Sequence, residues 1–273
     1  MSGLSLPNYF LYKYTYLSLG TVLKMSFYIT LPSDSSTNYF PENKISHFVT
    51  RLPKPIELKG EWEVGLVEFI YPHTWYNVNA QNNLIGFDLN DGKKLGRRIP
   101  PGFYGTVSDI LKAISIKDHE NKISFEFQPV TKRVHIKVKN GAEVILKDGL
   151  AQMLGFDSPK TITSLNYDNI ETNVVSPYVA DPCAHYRVLL VYTDIVEPQI
   201  VGDVLAPLLR IVNVTGNDGE VVCAQYDRPH YLPVSRKLIE TLEIAIRTHT
   251  GELTPFERGR SYVKLHFRQT YLS

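Results

Sequence analysis

Residues 181–185 read DPCAH and bring together the side-chain types of a thiol hydrolase: a nucleophile in Cys183, a base in His185, and a carboxylate in Asp181 that could orient the imidazole. Two apart on an extended strand, Cys183 and His185 would share a face with their side chains parallel, a poor geometry for proton transfer. An ordinary buried cysteine beside a polar histidine accounts for the same residues. The chain has no GxxxxGK[ST] phosphate loop, no HExxH, no GxSxG elbow and no CxxC pair. Its eight histidines are scattered, without an H-x-H followed by a downstream glutamate. The expectation is a protein that is not an enzyme and that uses no metal and no cofactor.

Charge supplies a second kind of candidate. Lys93, Lys94, Arg97 and Arg98 crowd the loop DGKKLGRRIPPGFYG and are the residues to test for contact with phosphate, although a basic run beside a turn is ordinarily just solvated. Over the whole chain 29 Lys and Arg face 28 Asp and Glu, a formal charge of +1, so specific nucleic-acid binding is not expected. Cys183 and Cys223 are too few for a disulfide framework and lack zinc-site spacing, which predicts two free thiols in a reducing compartment. No run of 18 apolar residues predicts a membrane span. Residues 1–24 are apolar and aromatic but broken by Pro7, Lys13 and Gly20; they read as an N-terminal arm that orders only on a neighbouring subunit.

The elements that must position any site are mostly strands. Phe27, Ile29 and Leu31, then Phe48, Thr50 and Leu52, alternate with their neighbours, and a proline closes each run. In EWEVGLVEFIYP, Trp62, Val64 and Leu66 fall on one face and Val67, Phe69 and Tyr71 on the other, which predicts a strand buried on both sides and stopped at Pro72. The period then changes. Ile110, Leu111 and Ile114 fit a short helix capped at Thr106 or Ser108; residues 123–139 fit a hairpin; Leu150, Met153 and Leu154 fit a second helix ending at Gly155. Five more strands follow from YRVLLVYTDIV to SYVKLHFRQ, with Asp218-Gly219 suited to a tight turn. The prediction is a mainly β chain: a single jelly-roll sandwich from residues 25–96 and 161–273, with an inserted, dispensable helix–hairpin–helix module over residues 97–160.

A resemblance agrees with this reading. The stretch FYITLPSDSSTNYFPENKISHFVTRLPKPIELKGEWEVGLVEFIYPHTWYNV, the middle segments PPGFYGTVSDILKAI and LAQMLGF, and the C-terminal LIETLEIAIRTHTGELTPFERGRSYVKLHFR together resemble the minor capsid, or penton, proteins of Polinton/Maverick elements and the related adintoviruses. The likeness runs over about residues 25–268. It implies a single jelly roll that forms homopentamers at the five-fold vertices of an icosahedral shell, in contact with the major capsid protein of the same element. It also implies a place in the virion after assembly in the nucleus or cytoplasm of a host cell. Function would then lie in surfaces, and the aromatic residues Trp75 and Tyr76 of PHTWYNV and His230 and Tyr231 of DRPHYLPV are the candidate subunit contacts. A soluble jelly-roll module binding a ligand or glycan is the alternative, and a cysteine hydrolase a third.

Overall fold

A computed structural model describes residues 25–92, 94–116, 119–164 and 171–270; the arm at residues 1–24 lies outside them. Strands β1 (Ser26–Pro32), β2 (His47–Glu57) and β3 (Glu61–Pro72) come first. A mixed stretch follows: β4 (Leu84–Asp88), β5 (Lys94–Arg98), α1 (Val107–Ile114), β6 (Ile123–Gln128), β7 (Arg133–Lys139), β8 (Glu143–Leu146), α2 (Asp148–Met153), β9 (Lys160–Thr163) and β10 (Glu171–Val175). After a 3-10 turn at Ala184–Tyr186 come β11 (Val188–Thr193), β12 (Gln199–Val201), β13 (Val204–Ala206), β14 (Leu208–Asn213), β15 (Val221–Gln225), β16 (Leu232–Pro233), β17 (Leu238–Thr248) and β18 (Tyr262–Thr270).

The fold is mainly β, with several antiparallel sheets and little helix. One large sheet runs β1-β18-β3-β15, with β16 pairing further along β3; the other runs β14-β11-β17-β2. Their inner faces share one core, in which Phe267, Leu265 and Val263 of β18 meet Leu242, Ile244 and Ile246 of β17 and Leu189 and Val191 of β11, all fully buried. The arrangement is that of a β-sandwich, two amphipathic sheets hiding their apolar faces against each other.

Strand β3 departs from its predicted two-sided burial. Val263 pairs with Phe69 and Lys264 with Glu68, but Leu265 pairs with Leu66, so the register slips at Val67. One extra residue shifts the side-chain phase by one. Trp62, Val64 and Leu66 before the bulge and Phe69 and Tyr71 after it therefore all enter the same core. The bulge is held open by a partner, since the Val67 carbonyl accepts from the Tyr226 backbone N–H at 2.9 Å. Strand β2 also differs from expectation, continuing through Pro53 and Pro55 to Glu57. It is a sheet edge, and both prolines fall where the register against β17 shifts between Ile239 and Thr241, so no ladder bond is asked of them.

A second hydrophobic cluster lies wholly between β3 and β11 in sequence, from Val78 to Ala180. It reaches beyond residues 97–160, because the four-stranded sheet β5-β4-β8-β9 takes in β4 and β5, and the three-stranded sheet β10-β7-β6 takes in β10. The helices form for the local reasons read from sequence. Thr106 caps α1, accepting from the Asp109 N–H at 3.2 Å, and Val107, Ile110, Leu111 and Ile114 are buried. Gly155 follows α2 at φ +80°, where an added Cβ would lie 2.4 Å from the Tyr178 carbonyl oxygen, so only glycine fits.

Candidate assembly surfaces

The two aromatic candidates of PHTWYNV separate. Trp75 is fully buried in the sandwich core, with His73 stacked on it at 4.2 Å and Tyr186 and Phe256 at 5.6 and 5.7 Å between ring centroids. Its ring is taken up by the chain's own packing. Tyr76, the next residue, is 42% exposed. Burial holds the His73 imidazole below its ordinary pKa, outweighing the nearby carboxylates of Asp218 and Glu220.

DRPHYLPV crosses the outer side of β3 at Gly65, where a Cβ would stand 2.8 Å from the His230 carbonyl oxygen; the glycine is what allows the loop so close. His230 itself is exposed. Tyr231 is half-buried, its hydroxyl hydrogen-bonded to His266 Nδ1 at 2.7 Å and its ring 3.5 Å from the Arg268 guanidinium carbon. Arg268 donates twice to Glu63 Oε2, at 2.9 and 2.8 Å. His266 stacks on Tyr28 of β1 at 4.5 Å. Because outward residues of β18 alternate with core residues, Lys264, His266 and Arg268 line up on this face and tie three strands into one aromatic and charged ladder. A planar or sugar ring could stack on such a platform at Tyr28.

The thiol site does not assemble. Cys183 caps a 3-10 turn rather than sharing a strand face with His185. Asp181 is occupied by Arg187, whose Nη2 reaches Oδ2 at 2.7 Å, and by the Cys183 backbone N–H at 2.9 Å. The His185 ring stacks instead on His249 at 5.4 Å between centroids. Burial and the Asp181 charge push the Cys183 thiol up, away from the thiolate that chemistry would need. Both cysteines are free thiols.

The basic run is likewise spread out. Lys93 lies outside the described residues. Lys94, Arg97 and Arg98 sit on edge strand β5, where alternation sends Arg97 to the opposite face from Lys94 and Arg98. Lys94 approaches Asp88 at 3.6 Å; Arg97 donates to the Ser115 carbonyl at 2.7 Å; Arg98 donates to Asn83 Oδ1 at 3.0 Å. Three cations so placed do not converge on one phosphate.

Two surface features escaped the sequence reading. The first is the ribbon β12–β13, in which Ile200 stands directly opposite Leu205, 79% and 72% exposed. PQIVGDVLAP carries a signal for it, apolar pairs on either side of Gly-Asp between two prolines, but three-residue strands are too short for periodicity to detect. The second is a shallow groove beside β2, lined by Tyr39, Phe40, Pro41, His47 and Val49. Tyr39 is 63% exposed, with the Arg51 guanidinium 4.6 Å from its ring centroid.

Among the described residues no group of three or more His, Cys, Asp and Glu side chains is placed to hold a metal ion, and no helix is long and apolar enough to cross a membrane. No protein-family model and no curated protein matches the chain. Among solved structures it is similar to the mavirus penton protein, with 11% identity and a TM-score of 0.47, over 90% of this chain and 100% of that one.

Proposed function

We propose that this chain is a structural virion protein: a single jelly-roll minor capsid subunit, a penton, that forms homopentamers at icosahedral vertices. Its partners there are its own copies and the major capsid protein of the same element. Its place is the virion, and assembly precedes it in the nucleus or cytoplasm of the host cell. The strand order of the two large sheets carries the reading. Counted one to eight along the chain, β1, β2, β3, β11, β14, β15, β17 and β18 fall in the order 1-8-3-6 in one sheet and 2-7-4-5 in the other. Every connection crosses between the sheets except that from the fourth strand to the fifth. A long antiparallel hairpin folded over on itself has this order, which is that of the double-sheet jelly roll found in capsid and lectin domains. A fold alone does not choose between those uses. The resemblance of residues 25–268 to minor capsid proteins favours the first, and so do the apolar side chains that the sandwich leaves in solvent.

A ligand- or glycan-binding module is the second reading, favoured by the Tyr28–His266–Tyr231 ladder on an open sheet face. Native mass spectrometry and light scattering of the full chain over a wide concentration range separate the two. A pentamer that takes the five-fold positions of particles formed with the major capsid protein supports the vertex role. A stable dimer or trimer, or glycan-array binding that Tyr28→Ala abolishes, overturns it in favour of the binding module.

A further inference from the structure

Resting on the reading as a ring-forming vertex subunit, we infer that the β12–β13 ribbon of one copy docks into the groove beside β2 of the next, and that this head-to-tail contact closes the ring.

Among the described residues the ribbon finds no cover. Ile200 and Leu205 lie side by side on one face, and Val204, 56% exposed, accompanies Val201 on the other. None of the four belongs to either hydrophobic cluster or packs against one. A two-stranded ribbon that is apolar on both faces and surrounded by water is marginal by itself. It is nevertheless ordered at its base, where the Gln199 side-chain amide donates to the Leu208 carbonyl. Such a projection calls for an apolar receptor.

The same chain supplies one, in the right place. The ribbon leads directly into β14, and the groove flanks β2; these are the two opposite edges of one sheet, β14-β11-β17-β2. A contact between unlike edges is heterologous, and repeating it gives a closed ring when the rotation per step divides the circle. Charge agrees with the pairing. Residues 197–206, which form the ribbon and its approach, carry Glu197 and Asp203, the latter at the ribbon tip, and no Lys or Arg. Residues 39–54, around the groove, carry Lys44, Arg51 and Lys54 against the single acidic Glu42. Opposite fields steer the two surfaces together and oppose like-to-like pairing.

The groove edge also dictates the kind of contact. Asn43 occupies both backbone groups of Val49, its Oδ1 accepting from the N–H and its Nδ2 donating to the carbonyl, each at 2.9 Å. Ser36 Oγ accepts from the Arg51 N–H at 3.0 Å. An edge closed in this way cannot take on another strand. The ribbon must therefore bind through side chains, with Ile200 and Leu205 against the Tyr39 and Phe40 rings and Asp203 facing Arg51.

Sedimentation velocity and native mass spectrometry of the full chain test this, with circular dichroism confirming that each variant folds. The wild type should form a pentamer. Ile200→Asp combined with Leu205→Asp should raise its dissociation constant on the order of thirtyfold or more, and Tyr39→Ala should weaken it in the same direction. Asp203→Lys and Arg51→Glu should each weaken assembly, and the two together should restore it. A pentamer indifferent to Ile200→Asp/Leu205→Asp overturns the ribbon contact and leaves the vertex reading standing. Ribbon-dependent assembly into open chains or rings of another order keeps the contact and sinks the five-fold reading. A folded wild type that stays monomeric at every concentration, or charge-reversed variants that fail to rescue each other, overturns the inference.

Discussion

The two hydrophobic clusters of this molecule are assembled in opposite ways. The sandwich core joins residues 31–75 to residues 189–267, so its two sheets can meet only when the segment between them is brought round. The second cluster uses only residues 78–180. Loop closure is therefore a large entropic cost for the first and a small one for the second, and contacts near in sequence form before distant ones. One buried polar side chain helps to link them, beside the edge contact of His73 with Phe103. Fully buried Asn77 donates to the Tyr104 carbonyl at 2.9 Å and the Pro182 carbonyl at 3.1 Å, and its Oδ1 accepts from the Tyr104 N–H at 2.8 Å. Residues 77 and 182 thus stand side by side, and the intervening chain leaves and re-enters the sandwich at one point.

That geometry moves the excision suggested by sequence. Cuts at 97 and 160 would pass through β5 and remove the partners of β4. Replacing residues 79–180 with a short Gly/Ser linker should instead leave a cooperatively folding sandwich, as far-ultraviolet circular dichroism and thermal melting can record. Loss of all cooperative unfolding would mean that the clusters act as one core.

Point truncations test the same contrast on a smaller scale. Trp75→Ala in the sandwich should cost about 3–5 kcal/mol and Ile136→Ala in the second cluster about 2–5 kcal/mol. In calorimetry each should lower a different transition. If both lower one shared transition equally, the two clusters are thermodynamically a single unit. Asn77→Ala should cost about 2–3 kcal/mol, since it removes three hydrogen bonds and strands buried backbone groups. It should also widen the gap between the transitions. Gly155→Ala should cost about 2 kcal/mol, through a left-handed backbone and the crowded Tyr178 carbonyl, and should be felt only in the second cluster.

The smallest effect is on pH. Burial lowers the folded-state pKa of His73 and of His185, where the neighbouring His249 adds to it. The unfolded chain takes up these protons as pH falls through about 6.5, whereas the folded chain resists until lower pH. Stability is then independent of these groups above that value and declines below it. The decline should be shallower in His73→Gln, which chemical denaturation at pH 5 and pH 7.5 can measure; an unchanged slope would remove His73 as a cause.

Tyrosine and tryptophan look alike as interface candidates in sequence, yet Trp75 is inside the sandwich and Tyr76 is half outside. What decides between them is the cover supplied by Tyr186 and Phe256, more than a hundred residues away. Whatever depends on neighbouring residues was legible in the amino-acid order. The alternation of β18 puts Val263, Leu265 and Phe267 inward, and Thr106 and the Ile110–Ile114 stripe define α1. These follow from the fixed periods of strand and helix. What depends on pairing emerges when segments far apart in the chain meet. The slip at Val67 turns the two apolar faces of β3 into one, because it exists only against β18 and Tyr226. Asp181 goes to Arg187 rather than His185 because a turn, not a strand, carries the DPCAH residues. Ile200 and Leu205 are left without cover because none of the described residues distant in sequence folds over them. A periodic pattern tells which residues share a face, whereas burial depends on what arrives from elsewhere to meet that face.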